Sequence, residues 1–301
     1  MSRLRGMYPA LITPFTADGT LDEAALRRVV AYHIEKGTDG LFVCGLLGTG
    51  PAMSTDERRR VAEVVAGTAR GHLGIIIHAG SIDLHEAVAL ARHAEELQAD
   101  AVAAIPPYYF KVTWPVVRAY YERLVDATRL PVWAYNNPGL VHFEFTIEQV
   151  LELAGRGVRG FKDSGLSLFL LQQVLYRVDR EKFSVFSAVP PMLFAALADG
   201  VDGFVGGPNN ALPQFYNAIY AAATAGDWAR AVRLERRAGE VFRLCGGPYN
   251  VPMWQALLTE LDVPAGLTRL PYPPITDDVR AAAKTNAAHL RAILGELDVP
   301  W

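Results

Sequence analysis

Eight short β-prone runs alternate with longer amphipathic stretches over roughly the first 225 residues, and that alternation leaves few folds open. The runs are 8–13, 40–44, 74–78, 101–105, 131–135, 158–162, 183–187 and 203–206. Between them, 22–36, 55–70, 84–97 and 114–127 carry apolar residues at helical spacing. Two parallel strands can be joined only by a crossover, usually a helix, so the pattern reads as successive βα units. Eight such units predict an α/β chain of the closed (β/α)8 TIM-barrel type rather than an open doubly wound sheet. The first strand is followed by no glycine-rich dinucleotide fingerprint. Helix starts are marked by Asp22-Glu23 and Ser54-Thr55-Asp56-Glu57, and stops by Gly37 and Gly71.

Beyond residue 225 the spacing predicts further helices at 228–245, 249–261 and 277–297, interrupted by Leu270-Pro271-Tyr272-Pro273-Pro274. We therefore expect a barrel over 1–225 and a helical extension over 226–301 packed on it. A chain of 301 residues that is 51% hydrophobic can bury a large core. Its formal net charge of -3, with scattered cations, leaves no basic footprint for nucleic acid. The two cysteines, Cys44 and Cys245, are far apart in apolar settings, which argues against a disulfide framework or a thiolate metal site and for a reducing compartment. No stretch is long and apolar enough for a bilayer, so the expected location is the cytoplasm, away from membranes.

In such a barrel the chemistry stands at the carboxyl ends of the strands. Lys162 ends the sixth. Buried there, its ammonium is disfavoured, and a neutral amine can attack a carbonyl to form a Schiff base; a solvated lysine entering a loop is the other reading. Tyr135 ends the fifth strand and Tyr108-Tyr109 follow the fourth, where a phenol can relay protons to a carbinolamine or donate to an oxyanion. Each could equally be a core-edge tyrosine with one hydrogen-bond partner. Ser187 ends the seventh strand and either lines the pocket or is satisfied by backbone. The turn Gly206-Gly207-Pro208-Asn209-Asn210 could offer amides to an anion or be an ordinary βα turn. His78 and His142 also fall near strand ends, but neither has a second ligand at metal spacing. The chemistry read here needs no metal and no organic cofactor.

With Pro107-Tyr108-Tyr109, Tyr135-Asn136-Asn137-Pro138-Gly139 and Gly160-Phe161-Lys162-Asp163 in this order, the chain resembles the Schiff-base aldolases and lyases typified by dihydrodipicolinate synthase and N-acetylneuraminate lyase. The likeness runs from Tyr8-Pro9-Ala10-Leu11-Ile12-Thr13-Pro14-Phe15 to the helical tail. It implies Lys162 as the imine-forming lysine, Tyr135 as the proton-transfer tyrosine and Tyr109 as a tyrosine lent across a subunit interface. A homo-oligomer, tetramer or dimer, is implied by that resemblance alone.

Departures from the family pattern bear on the substrate. Where relatives carry a Gly-Thr-Thr-Gly-Glu or Gly-Ser-Thr-Gly-Glu loop, this chain reads Gly45-Leu46-Leu47-Gly48-Thr49-Gly50-Pro51. Both hydroxyls are gone, Thr49 is the nearest survivor, and only main-chain amides remain to hold a carboxylate. Leu140 stands where the synthases keep an arginine for the second substrate's carboxylate, so authentic dihydrodipicolinate synthesis is not expected. The stretch 48–54 and Tyr108-Tyr109-Phe110 look closer to the 2-keto-3-deoxy sugar-acid aldolases, from which the double leucine also departs. Leu46, Leu47, Leu140 and Phe143 either form an apolar wall suited to a less polar acceptor or pack as core. The expected substrate-binding set is Leu46, Leu47, Thr49, Leu140, Ser187 and Val205 of the eighth strand. The implied activity is a class I aldolase acting on a 2-keto acid, pyruvate, and an aldehyde. A dehydratase or hydratase-aldolase using the same imine, and a non-catalytic keto-acid binding barrel, are the alternatives.

Overall fold

Each of the eight runs forms a strand in the computed structural model, which describes residues 3–301. The strands are β1 (Gly6–Pro9), β2 (Gly40–Val43), β3 (Gly74–His78), β4 (Ala101–Ala104), β5 (Val132–Asn136), β6 (Val158–Asp163), β7 (Ser184–Ser187) and β8 (Gly203–Gly206). They form one sheet in the order β1-β8-β7-β6-β5-β4-β3-β2, parallel wherever pairing is defined between β3 and β8. Ala10, just past β1, pairs in parallel with Phe42 of β2, so the two ends of that order meet. The chain is thus a (β/α)8 TIM barrel.

Eight helices follow the strands: α1 (Glu23–Glu35), α2 (Thr55–Ala69), α3 (Leu84–Glu96), α4 (Trp114–Ala127), α5 (Ile147–Gly155), α6 (Leu168–Arg177), α7 (Leu193–Ala198) and α8 (Pro213–Thr224). Three more, α9 (Trp228–Leu244), α10 (Val251–Glu260) and α11 (Asp277–Glu296), complete the chain. Among the described residues no helix is long and apolar enough to cross a membrane. The anticipated capping acts as expected: Asp22 accepts from the Ala25 amide, and Ser54 and Glu57 form a full capping box.

One strand differs from its sequence expectation. The run 8–13 predicts a strand that reaches Thr13, yet β1 ends at Pro9; Ala10 and Leu11 still donate to Gly206 O and Phe42 O at 2.9 Å, and the ladder gives way at Ile12, whose amide donates to the Asn210 side chain at 3.0 Å. The Asn210 amide nitrogen in turn donates to the carbonyls of Ala10 and Gly207 at 2.9 and 2.8 Å. A side chain takes over the ladder and pins the segment.

Contacts group the chain into two compact units. Gly74–Val205, with the residues up to Gly6, holds β3 to β7 and the aromatic core in which Trp133 meets Phe186 edge-on at 4.9 Å. Gly160 lies under that indole: a Cβ there would sit 2.3 Å from Trp133 Cδ2, so only glycine admits the ring. Met7–Leu73 with Gly206–Trp301 forms the second unit. In it α10 is buried at eight consecutive residues, Val251 to Leu258, and the one amide among them, Gln255, donates to Ala265 O at 2.8 Å.

Candidate active site

Consecutive βα units lay consecutive strands side by side. Hence Tyr135 of β5 and Lys162 of β6 are direct register partners. Their side chains share a face, because residues opposite one another in a parallel pair point the same way. Lys162 is 3% exposed and its Nζ lies 3.3 Å from the centroid of the Tyr135 ring. The ring's negative face would attract an ammonium and also suits an amine N–H. Burial decides between them, holding the Lys162 ammonium well below the ordinary lysine range against the weaker pull of the Asp163 carboxylate. Nζ also donates to Ser164 Oγ at 3.4 Å.

The tyrosine is fixed from several sides. Asn137 Nδ2 donates to its hydroxyl oxygen at 2.9 Å, and the His78 ring stands edge-on at 6.0 Å. The His78 imidazole accepts the Ile105 amide through Nε2 at 3.2 Å, which sets its orientation. Burial pushes the Tyr135 phenol above its usual range, while hydrogen bonds with Ser164 and Asn137 draw it back. A buried phenol of this kind holds its proton at neutral pH and has donors in place for the phenolate.

One residue further along each strand, the opposite face carries a second row. Asn136, Asp163 and Ser187 are register partners across β5, β6 and β7. Asn136 Nδ2 donates to Asp163 Oδ1 at 2.7 Å, and the Gly165 amide donates to the same oxygen at 2.9 Å. Burial raises the Asp163 carboxyl, against these bonds and the Lys162 charge. The Asn136 carbonyl accepts the Ser164 amide at 2.9 Å, so the loop leaving β6 is clamped directly behind Lys162.

The structure brings some of the expected residues together and separates others. Val205 lies two residues past Gly203, the partner of Phe186, and so shares the face of Phe186, Lys162 and Tyr135. Ser187 does not: its register sets it beside Asp163, fully buried, with no partner for its hydroxyl among the described residues. Leu140 sits in the turn after β5, 48% exposed, its amide donating to Asn137 O at 3.0 Å. Phe143 stacks near-parallel to Trp114 at 6.4 Å and meets Phe145 edge-on at 5.1 Å, in an aromatic cluster that continues to Phe161 on the face opposite Lys162. Tyr109 is 81% exposed at a φ of 75°, a backbone region costly for a large side chain.

In the other unit, Leu46, Leu47 and Thr49 form a tight loop after β2. The Thr49 amide donates to Leu46 O and the Gly50 amide to Gly45 O, both at 2.9 Å. Leu47 is buried, its Cδ1 2.9 Å from the point where a Cβ on Gly207 would stand, and Tyr272 Oη donates to Leu46 O at 3.1 Å. Thr49 is buried at a φ of 60°. Among the described residues no group of three or more His, Cys, Asp or Glu could hold a metal ion. Two contributors escaped sequence reasoning: Ser164, which touches Nζ, and Asn137, which touches the phenol. Asn137 lies two residues after Tyr135, the spacing that returns a side chain to the same face of a strand.

Residues 3–290 match the dihydrodipicolinate synthetase family. N-acetylneuraminate lyase of Rhizobium meliloti is 31% identical over 96% of this chain and 96% of its own. The 4-hydroxy-tetrahydrodipicolinate synthase of Bradyrhizobium diazoefficiens is 30% identical over 96% and 97%. Among solved structures, CdNal of Clostridium difficile in complex with mannosamine superposes with a TM-score of 0.90 at 26% identity, covering 96% of this chain and 99% of that one.

Proposed function

Since the chain belongs to the dihydrodipicolinate synthetase family and is a carbon–carbon lyase, we propose that it joins or cleaves pyruvate and an aldehyde through an imine on Lys162. The observation that carries this reading is the buried amine, disfavoured as an ammonium, seated 3.3 Å over the Tyr135 ring. Neutral Nζ attacks the keto carbon, and the resulting carbinolamine expels the former carbonyl oxygen as water. Loss of a C3 proton from the imine leaves an enamine, whose carbon adds to the aldehyde carbon as the aldehyde oxygen takes a proton. Hydrolysis then frees the amine, and cleavage runs the same steps in reverse. Tyr135 moves the protons, with Asn137 stabilising its oxygen.

The family resemblance assigns the substrate's carboxylate to the loop after β2, where main-chain amides at Leu46, Leu47 and Gly48 with Thr49 stand in for the relatives' hydroxyls. Leu140, half exposed and without charge, suits an aldehyde that lacks a second carboxylate, and Val205 lines the same face as the lysine. Assembly as a homotetramer, in which Tyr109 of one copy reaches the site of another, accounts for a large aromatic left exposed at a strained backbone angle. Light scattering on the purified chain tests the assembly.

Borohydride reduction in the presence of pyruvate tests the imine. We expect a stable mass increment on Lys162 that Lys162→Ala abolishes; no adduct with pyruvate or any other 2-keto acid would overturn the mechanism. An adduct without aldehyde-dependent turnover would instead assign the chain to keto-acid binding.

A further inference from the structure

At the amino-terminal ends of β5, β6 and β7, remote from Lys162, lies a cavity of about 440 Å³. That volume is within the range of small-molecule sites. Four cations line it, Arg3, Arg129, Arg159 and Lys182, and no carboxylate does. Its walls include Val125, Leu130 and Pro131.

The surroundings are short of negative charge. Arg159 Nη1 donates to the carbonyls of Ala154 and Val158 at 3.1 and 2.9 Å; among the described residues Arg159 forms no ion pair, and the carboxylate that feels its charge, Asp179, is already paired with Lys182. Behind Arg3, the single buried carboxylate of Asp202 serves three guanidiniums: Arg3 and Arg180 at 3.0 Å each and Arg5 at 4.0 Å. Arg180 Nη1 is buried without an acceptor. The remaining two cations have surface partners, Glu95 for Arg129 and Asp179 for Lys182, and exposed pairs of this kind contribute little and exchange readily. A cavity with low-dielectric walls and a surplus of one sign concentrates ions of the other.

We propose that this cavity binds a small multivalent anion carrying phosphate or carboxylate groups on a compact apolar body. Arg159, whose fork is half unused, supplies bidentate recognition. Lys182 and Arg129 add charge at the rim, and Val125, Leu130 and Pro131 receive the body.

Titration calorimetry on the full chain at low salt tests this with two probes, inorganic pyrophosphate and citrate. We expect one saturable event per chain with at least one probe, weakened about tenfold or more in Arg159→Ala/Lys182→Ala and by added salt. Arg159→Lys, which keeps the charge and loses the fork, should fall between. Binding of pyrophosphate alone assigns a phosphate-bearing ligand, and of citrate alone a carboxylate-bearing one. Both side chains are at the surface, and a circular-dichroism melt verifies that the variants fold. No saturable heat with either probe, or full affinity retained in the folded double variant, overturns the proposal. The readout needs no turnover, so it stands or falls apart from the imine.

Discussion

Replacing Tyr135 by phenylalanine removes one oxygen and leaves the ring. Nζ of Lys162 keeps its seat over an aromatic face, and its burial is unchanged. The amine should therefore still form the pyruvate imine, more slowly. Proton transfer by a positioned side chain is worth about 10²- to 10⁴-fold in rate, or roughly 3–5 kcal/mol of barrier, so aldehyde-dependent turnover should fall by that factor. A second cost is separable. Asn137, 3% exposed, loses the acceptor it holds at 2.9 Å, and an orphaned buried donor costs about 1–3 kcal/mol of stability. Urea unfolding measures the second effect and initial rates with borohydride-trapped adduct measure the first. Asn137→Ala separates them, since it should show a loss of stability with a much smaller loss of rate. If Tyr135→Phe loses stability while its turnover drops less than about tenfold, the phenol is a packing group and the proton-transfer assignment is wrong.

The burial of Lys162 has a pH signature. Its folded pKa is depressed, so between that value and the ordinary lysine value the unfolded chain binds more protons, and stability must rise with pH across the window. The stability gained on changing Lys162→Met should shrink as pH rises toward the free-lysine range, and a gain independent of pH in paired urea titrations would contradict the buried-amine reading. Gly160→Ala would thrust a methyl to within 2.3 to 2.5 Å of three indole atoms of Trp133, which Phe186 backs at 4.9 Å. A loss of about 3 kcal/mol is expected, largely recovered with Trp133→Leu, and a wild-type unfolding midpoint would refute the packing. Leu140→Arg should raise turnover of a carboxylate-bearing aldehyde relative to a neutral one, and an unchanged ratio removes Leu140 from the acceptor site.

Much of this was legible because the signals are local. Helix starts at Glu23, Thr55 and Trp114 lie within a residue of the expected positions, since capping side chains and periodicity act within one turn. Lys162 beside Tyr135 was also readable, because a right-handed βα repeat makes neighbours of successive strand ends. What was not legible depended on distant partners. The ladder's end at Ile12 is set by Asn210, 198 residues away. The facing of Ser187 turns on register, where a single residue moves a side chain to the other side of the sheet. Phe143, for which pocket wall and core were both open in the sequence, stacks on Trp114 from the preceding helix.

The alternation of Lys162 and Asp163 across one strand divides labour between the two sides of a sheet only one residue thick. The Lys162 amine, the proposed nucleophile, stands on one side while Asp163, tied to Asn136 and Gly165, anchors the outgoing loop on the other. Anchorage and chemistry are then adjustable apart. On the proposed assignment, Leu46, Leu47 and Leu140, which belong to neither row, are free to drift toward new acceptors without disturbing the amine, and a directed-evolution campaign on this scaffold would vary those three first and leave 135–137 and 160–165 intact.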